Sequence, residues 1–345
     1  MINVRDCGAI GDGVTDDTAA IQAALGLCAS GGAVWVPSGT YKCSAPLQFK
    51  GHNTRLIAEA RAYGYNPPSP VVRLSFVGPL PAGISFNAVI GDPTTAWNYC
   101  ELDGVFIEGN SSLAAGVEVA GLANVIRAIY VRHCTIGING LDGINSLKMV
   151  DNCCASFNGT GLFVTGTNTT TFSVRDLKLR QNGVGLVLYS GQNVEFTSCV
   201  IESNTGYGAW VFNNTLALSN QMHLNQISFN QCWFESNGAG NGVTDQYQVV
   251  IDGTTPSGYP FYPQFIDFER CLFSLGPSPH RAMHVKAASD VRLHRCNIRG
   301  GDAQNYFVLE STALRTTFAD LDLLEAVNPQ TPAQVMAMGV GTRWI

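Results

Sequence analysis

Cys199-Val200-Ile201-Glu202-Ser203-Asn204 decides the fold, because the chain says nearly the same thing several times over. The other copies are Val105-Phe106-Ile107-Glu108-Gly109-Asn110, Leu177-Lys178-Leu179-Arg180-Gln181-Asn182, Cys232-Trp233-Phe234-Glu235-Ser236-Asn237 and, more loosely, Cys153-Cys154-Ala155-Ser156-Phe157-Asn158. Segments starting at Cys271 and Cys296 keep the strand but carry Gly276 and Gly301 in place of Asn. Short alternating strands closed by a turn residue, recurring at roughly twenty to forty residues, are the signature of a solenoid of stacked coils.

Alternation within a strand assigns each side chain to a face. Cys199 and Ile201 point inward, Val200 and Glu202 outward. Three residues before each repeat start stands a second apolar column: Leu102, Val131, Val150, Val174, Phe196, Phe229, Phe268 and Leu293. The polar pair that follows, such as Thr197-Ser198 or Glu269-Arg270, is a bend between two strands of one coil. Asn110, Asn139, Asn158, Asn182, Asn204 and Asn237 are expected to form one column at a tight turn, since Asn tolerates left-handed backbone. Cys134, Cys153, Cys199, Cys232, Cys271 and Cys296 are assigned to one inward column as small apolar residues.

Composition agrees with an all-β chain. Charged residues make up only 13% and there are 37 glycines, which suits many short strands and tight turns rather than solvated helices. A net charge of −6 with no basic run argues against nucleic acid and anionic membrane as partners. Eleven Cys, an odd count without paired metal spacing, indicate reduced thiols and synthesis in a reducing cytoplasm. The start, Met1-Ile2-Asn3-Val4-Arg5-Asp6, lacks the pattern of a signal peptide, so an extracellular role would need another export route, such as cell lysis.

Residues 1–45 read as an N-terminal cap: a strand, a Gly-rich turn, a helix over Ala19 to Leu27 with Asp16 or Asp17 as N-cap, and the first strands. The Asp12, Asp16 and Asp17 spacing departs from a calcium loop, and no metal or cofactor is implied. The pattern Asp6-x-Gly8-Ala9-x-Gly11-Asp12-Gly13-x-Thr15-Asp16-Asp17-Thr18-x-Ala20-Ile21-Gln22-x-Ala24, then Gly31-Gly32 and Val36-Pro37-x-Gly39-x-Tyr41, closely resembles the N-terminal signature of the pectate-lyase-like superfamily. That superfamily includes polygalacturonase-like hydrolases, polysaccharide epimerases and phage tailspike depolymerases. The resemblance implies a right-handed parallel β-helix, here over residues 46–327, capped by the N-terminal helix. It also implies a polysaccharide partner and, through the tailspikes, a homotrimer acting outside the cell as a virion tail component. The paired-Asp and downstream His motifs of true polygalacturonases are absent, so the resemblance does not extend to pectin hydrolysis.

The site is sought on the outside of the coils. The outward column beside the Asn turn reads Glu108, Gly137, Ser156, Arg180, Glu202, Glu235, Ser274, Arg299. Glu202 and Glu235 on successive coils are the candidate acid and base of a glycosidase, with Arg180 one coil earlier as the charge that favours an ionised partner. Lys178 and Trp233 stand in the adjoining column, Trp233 as a plate for a sugar ring. Loop insertions near residues 205–222 and 238–265 carry Tyr207, Trp210, Tyr247, Tyr259, Phe261 and Tyr262, aromatics expected to wall a saccharide groove. Hydrolysis is favoured over β-elimination. A non-catalytic glycan-binding or structural spike and an epimerase are the alternatives, and so is an inert ladder of Glu202 and Glu235 with Arg180. The six histidines show no metal-binding spacing and read as surface or turn residues. The tail over residues 328–345 breaks the pattern and is expected to be buried against its own last coil or a subunit neighbour.

Overall fold

A computed structural model describes residues 1–61, 71–166, 169–212, 224–238, 246–253, 263–276, 280–300, 306–324 and 343–344. The chain forms two compact units, Met1–Phe163 with Ser173–Lys178, and Val164–Phe172 with Leu179–Ile345. Tyr259, Phe261, Tyr262 and nearly all of the tail lie outside the described residues.

In the second unit the inward apolar columns of the sequence become stacked strands. Gln192–Thr197, Asn225–Asn230, Gln264–Glu269 and the end of His280–His294 pair in parallel, with Phe196, Phe229, Phe268 and Leu293 in register. Neighbouring strands lie about 4.8 Å apart, so like side chains stack face to face. The Phe196, Phe229 and Phe268 rings are 4.9 Å apart at each step and within 9° of parallel. Around the bend, Val200–Glu202, Trp233–Glu235, Leu272–Leu275 and Asn297–Gly300 form the second parallel stack, with Ile201, Phe234, Phe273 and Ile298 inward and buried. Ala209–Phe212, Gln246–Asp252, the start of His280–His294 and Phe307–Leu314 form the third. Three strands per coil, each paired with its counterpart one coil on, make a parallel β-helix.

Left-handed residues make the corners. Ser198, Gln231, Arg270 and Arg295 have φ between 52° and 54°, and their amides donate to the carbonyls of Asn230, Glu269, His294 and Ala319 on the next coil at 2.8 to 3.0 Å. At the following corner Ser203 and Ser236 do the same, reaching Glu235 and Ser274. The Asn that comes next is buried, and its side chain builds the turn. Asn204 Nδ2 donates to the Leu179 carbonyl at 3.0 Å and to Asn237 Oδ1 at 2.7 Å, while its Oδ1 accepts from the Asn182 amide at 2.9 Å. Asn237 repeats this on the Ile201 carbonyl and the Asn204 amide, and Gln248 takes over at the end of the ladder. The expectation of a left-handed Asn holds at Asn110, with φ 49°, and is corrected at Asn158, Asn182, Asn204 and Asn237, where the residue before takes the left-handed backbone and Asn supplies an amide.

The thiols are unbridged and all but Cys7 are buried. Cys232, Cys271 and Cys296 sit in one column, and their Sγ atoms donate to the Phe196, Phe229 and Phe268 carbonyls of the preceding coil at 3.2 to 3.4 Å. Cys134 is the exception. It pairs with Leu113, and its amide donates to Asn158 Oδ1, so it holds a place in the Asn turn.

The same shift corrects the first unit. The stacked strands there align Ile107, Val131 and Ala155 inward and Glu108, Arg132 and Ser156 outward, so Arg132 replaces Gly137 in the outward column. The bend-side column is Leu102, Ile126, Met149 and Val174. Val150 is displaced because Asp151 and Asn152 are both left-handed and lengthen that bend by one residue. Asn139 pairs with Glu118, and Asn110 is exposed, so neither belongs to the buried Asn ladder.

The N-terminal motif is a set of backbone clamps. The buried Asp17 carboxylate accepts from the amides of Ile10 and Gly11 at 2.7 and 3.0 Å, so it occupies the N-cap position of the helix Thr18–Leu27 without capping it. Asp16 caps instead, accepting from the Thr18 amide and from the hydroxyls of Thr18 and Ser44. Gly11, at φ +74°, is required because a Cβ there would meet the Tyr41 ring at 2.8 Å. The helix buries Ile21, Ala24 and Leu25.

Two outcomes follow from these contacts. Asn204→Ala strands the Leu179 carbonyl and the Asn182 amide in a buried turn, and should cost about 3 kcal/mol in urea unfolding. The Ser44 and Thr18 hydroxyls hold the Asp16 carboxyl down at about 2 from 3.8, so its contribution is present above about pH 4 and lost as pH falls through about 2. Thermal melts of Asp16→Asn should therefore lie below those of the parent near pH 5 and converge with them near pH 2.

Candidate functional site

On the second stack of the second unit, strand alternation presents Val200 and Glu202, Trp233 and Glu235, Leu272 and Ser274, Asn297 and Arg299 outward. Glu202 and Glu235 are register partners on adjacent strands, so their backbones are about 4.8 Å apart and their carboxylates project the same way. Arg180 Nε lies 3.3 Å from Glu202 Oε1, and the Ser274 hydroxyl donates to Glu235 Oε1 at 3.4 Å. Trp233 is 38% exposed, with the Arg299 guanidinium 5.6 Å from its ring centre. The face therefore combines two adjacent acids, a cation at each end and an open aromatic plate.

Beyond the buried Asn204 and Asn237 turn, the third stack of the same unit presents another face. Trp210 stacks on Phe212 at 4.2 Å, with Tyr189 edge-on to Phe212 at 4.0 Å and Tyr207 edge-on to Trp210 at 5.9 Å. Phe212 is the register partner of Asp252, which Lys286 holds at 3.1 Å. His284 lies on the same face, with Nε2 3.0 Å from Glu310. Tyr247 is only 3% exposed, its hydroxyl bonded by Arg281 at 2.8 Å and its ring against His284.

Two further clusters surround histidines. In the first unit Glu108 is nearly buried between Arg132 Nε and His133 Nδ1, both at 2.7 Å. Burial pushes its carboxyl up, but the bonds from His133 and Arg132 outweigh it and hold the group below its usual value. At the bend of the second unit His294 spans Glu269 at 2.7 Å and Asp320 at 3.4 Å. Among the described residues no group of three His, Cys, Asp or Glu could hold a metal ion, and no helix is long and apolar enough to cross a membrane.

Residues 1–65 match the family model of rhamnogalacturonase A/epimerase, pectate lyase-like, and residues 98–255 match that of the right-handed β-helix region. The chain is 26% identical over 261 residues to mannuronan C5-epimerase AlgE2 of Azotobacter vinelandii, covering 73% of this chain and 24% of that protein. Among solved structures, the tailspike protein of E. coli bacteriophage HK620 in complex with pentasaccharide is similar with a TM-score of 0.68 and 12% identity, covering 92% of this chain and 62% of that one. The catalytic unit of a GH87 α-1,3-glucanase from Streptomyces thermodiastaticus is similar with a TM-score of 0.60 and 16% identity, covering 99% and 68%. The fold is a right-handed parallel β-helix, and its first 65 residues carry the likeness to the rhamnogalacturonase A/epimerase, pectate lyase-like family. The chain spans about a quarter of the length of the curated relative AlgE2.

The fold brings together four of the residues singled out from the β-helix sequence, Arg180, Glu202, Trp233 and Glu235, on one face. Tyr207 and Trp210 join a different face, and Tyr247 is packed beneath it. Lys178 belongs to the first unit and donates to Asn152 Oδ1 at 3.1 Å. Sequence reasoning missed Asp252, His284, Lys286 and Glu310. Their alternation with Ile251, Met283, Val285 and Leu309 was readable, but the loops between those strands hid which residues share a rung.

Proposed function

We propose that this chain is carbohydrate-active and cleaves a polysaccharide by hydrolysis, with Glu202 and Glu235 as the acting pair. The observation that carries the reading is their register on adjacent rungs beside the exposed ring of Trp233. Side chains projecting in parallel from neighbouring strands are separated by about 5 Å, the spacing of the two carboxyl groups in glycosidases that retain configuration. Glu202, paired with Arg180 at 3.3 Å, is assigned the attack on the anomeric carbon. Glu235, which accepts from the Ser274 hydroxyl, is assigned to deliver a proton to the leaving oxygen and then to take one from the water that releases the sugar. Trp233 would hold the apolar face of a neighbouring ring.

A second reading has its own observation. The equivalent Glu108 is enclosed by Arg132 and His133, so this position of the repeat also serves as an ion-paired support. A non-catalytic glycan-binding spike would use Trp233 and leave Glu202 paired with Arg180. The likenesses to a tailspike structure holding a pentasaccharide and to a curated epimerase support a polysaccharide partner for either reading, with epimerisation or elimination as alternative chemistry. A homotrimer acting outside the cell is proposed with it.

Glu202→Gln and Glu235→Gln keep the shape of the side chain and remove its ionisation. Each should lower the release of reducing ends from a cleaved polysaccharide by about 10²-fold, with circular dichroism unchanged. Products carrying the ultraviolet absorbance of an unsaturated uronate would select a lyase. Full turnover by both variants with a lowered melting temperature would select the supporting role.

A further inference from the structure

The face bearing Trp210 carries an inference that the acid pair does not use. Four rings lie on or beside the strands Val184–Leu188 and Ala209–Phe212, all of them partly exposed. Trp210 and Phe212 are stacked within 21° of parallel, and Tyr189 and Tyr207 stand edge-on at either side. The indole Nε1 of Trp210 is enclosed and meets no hydrogen-bond acceptor among the described residues. One rung on, Asp252 is in register with Phe212 and held by Lys286, and another rung on, His284 is in register with Val250 and bonded to Glu310.

We propose that this face is a second polysaccharide-binding surface, separated from the Glu202 and Glu235 face by the buried Asn turn. It rests on the reading of the chain as glycan-active, but not on the acid pair. A protein partner would be matched by a continuous apolar patch with a polar rim. Among the described residues the apolar part is one stacked pair of rings with two flanking tyrosines, and over the next rungs it passes into two ion pairs. A pyranose has that same division, an apolar face of C–H groups and an equatorial ring of hydroxyls. The ring pair takes the C–H face of one sugar, and Asp252, Lys286 and His284 take hydroxyls of the next at the spacing of the rungs. A polymer held here stays on the protein after a cut at the other face.

The test is affinity electrophoresis and tryptophan fluorescence against polymannuronate, polygalacturonate and dextran. The parent should be retarded by at least one of them, and Trp210→Ala should weaken that binding about tenfold. Trp210→Tyr should keep most of it. Lys286→Met leaves the rings in place and should also weaken binding, so it carries the test should Trp210→Ala fail to fold. Unchanged binding by folded Trp210→Ala, or by Lys286→Met if that is the folded one, overturns the surface, as does a parent that binds none of the three. A shift to a smaller oligomer in Trp210→Ala with polymer binding intact makes the face a subunit interface and overturns it as well. If the parent cleaves a polymer that Trp210→Ala binds equally well, the surface falls and the proposed activity stands. A parent that neither binds nor cleaves any of them removes both.

Discussion

The rest of the structure depends on one hydrogen bond, from the amide of each left-handed corner residue to the carbonyl of the next coil. In a parallel stack every strand must find both neighbours, and a corner that turned its amide away from the stack would leave a buried donor. Holding a residue with a side chain in left-handed backbone costs about 1–2 kcal/mol. A buried amide without an acceptor costs about 1–3 kcal/mol, and the bond that replaces it adds about 1 kcal/mol. The strained backbone therefore prevails, and Ser198, Gln231, Arg270 and Arg295 show how little the side chain matters to it. Where the corner is tightest the backbone alone does not satisfy the turn, and the buried amides of Asn204 and Asn237 complete it.

Once the corners fix the register, like residues stack whether or not stacking suits them. For phenylalanine it does, and Phe196, Phe229 and Phe268 line up nearly parallel in the core. For cysteine it also does, because a small thiol fits the column and its Sγ donates to a carbonyl of the coil before. On the outer faces the same rule places acids, cations and rings side by side at about 4.8 Å, independent of any pocket. A β-helix thus offers ordered columns rather than a cleft, a geometry suited to a polymer.

The sequence revealed the fold because the two inward columns repeat with a strict alternation and because the turn asparagines recur. Registers between distant copies, Cys199 to Cys232 to Cys271 to Cys296, were legible despite the loops between them, since the bend before each Cys has the same length. Registers failed where a bend varied by one residue. Asp151 and Asn152 lengthen one bend and move Val150 out of the core, and Cys134 resembles a repeat start although it fills the place of a turn Asn. The face with Arg180, Glu202, Trp233 and Glu235 was legible because one short strand of each coil carries it. The pairing of Phe212 with Asp252, and of Trp210 with His284 two rungs on, was not, because no repeated motif links those strands and only their hydrogen bonds bring them into register.

The outward column also shows what an ion-paired support looks like in this fold. Glu108 alternates with Arg132 on the next strand, so attraction runs along the column, and His133 closes the other oxygen. Glu202 and Glu235 depart from that rule by placing two acids on adjacent rungs, with Arg180 beside only one of them. Two like charges about 5 Å apart repel by about 1 kcal/mol in bulk water and by about 3 kcal/mol at the lower effective dielectric of a protein surface. Like charges directly opposite one another across strands are destabilising for the same reason. A column selected only for stability would place a cation or a neutral residue at Glu235, as it does at Ser274 and Arg299. Two acids on adjacent rungs beside an open tryptophan are the arrangement on which the proposed acid and base chemistry rests, since such chemistry needs one carboxyl to give a proton and another to act on the sugar carbon.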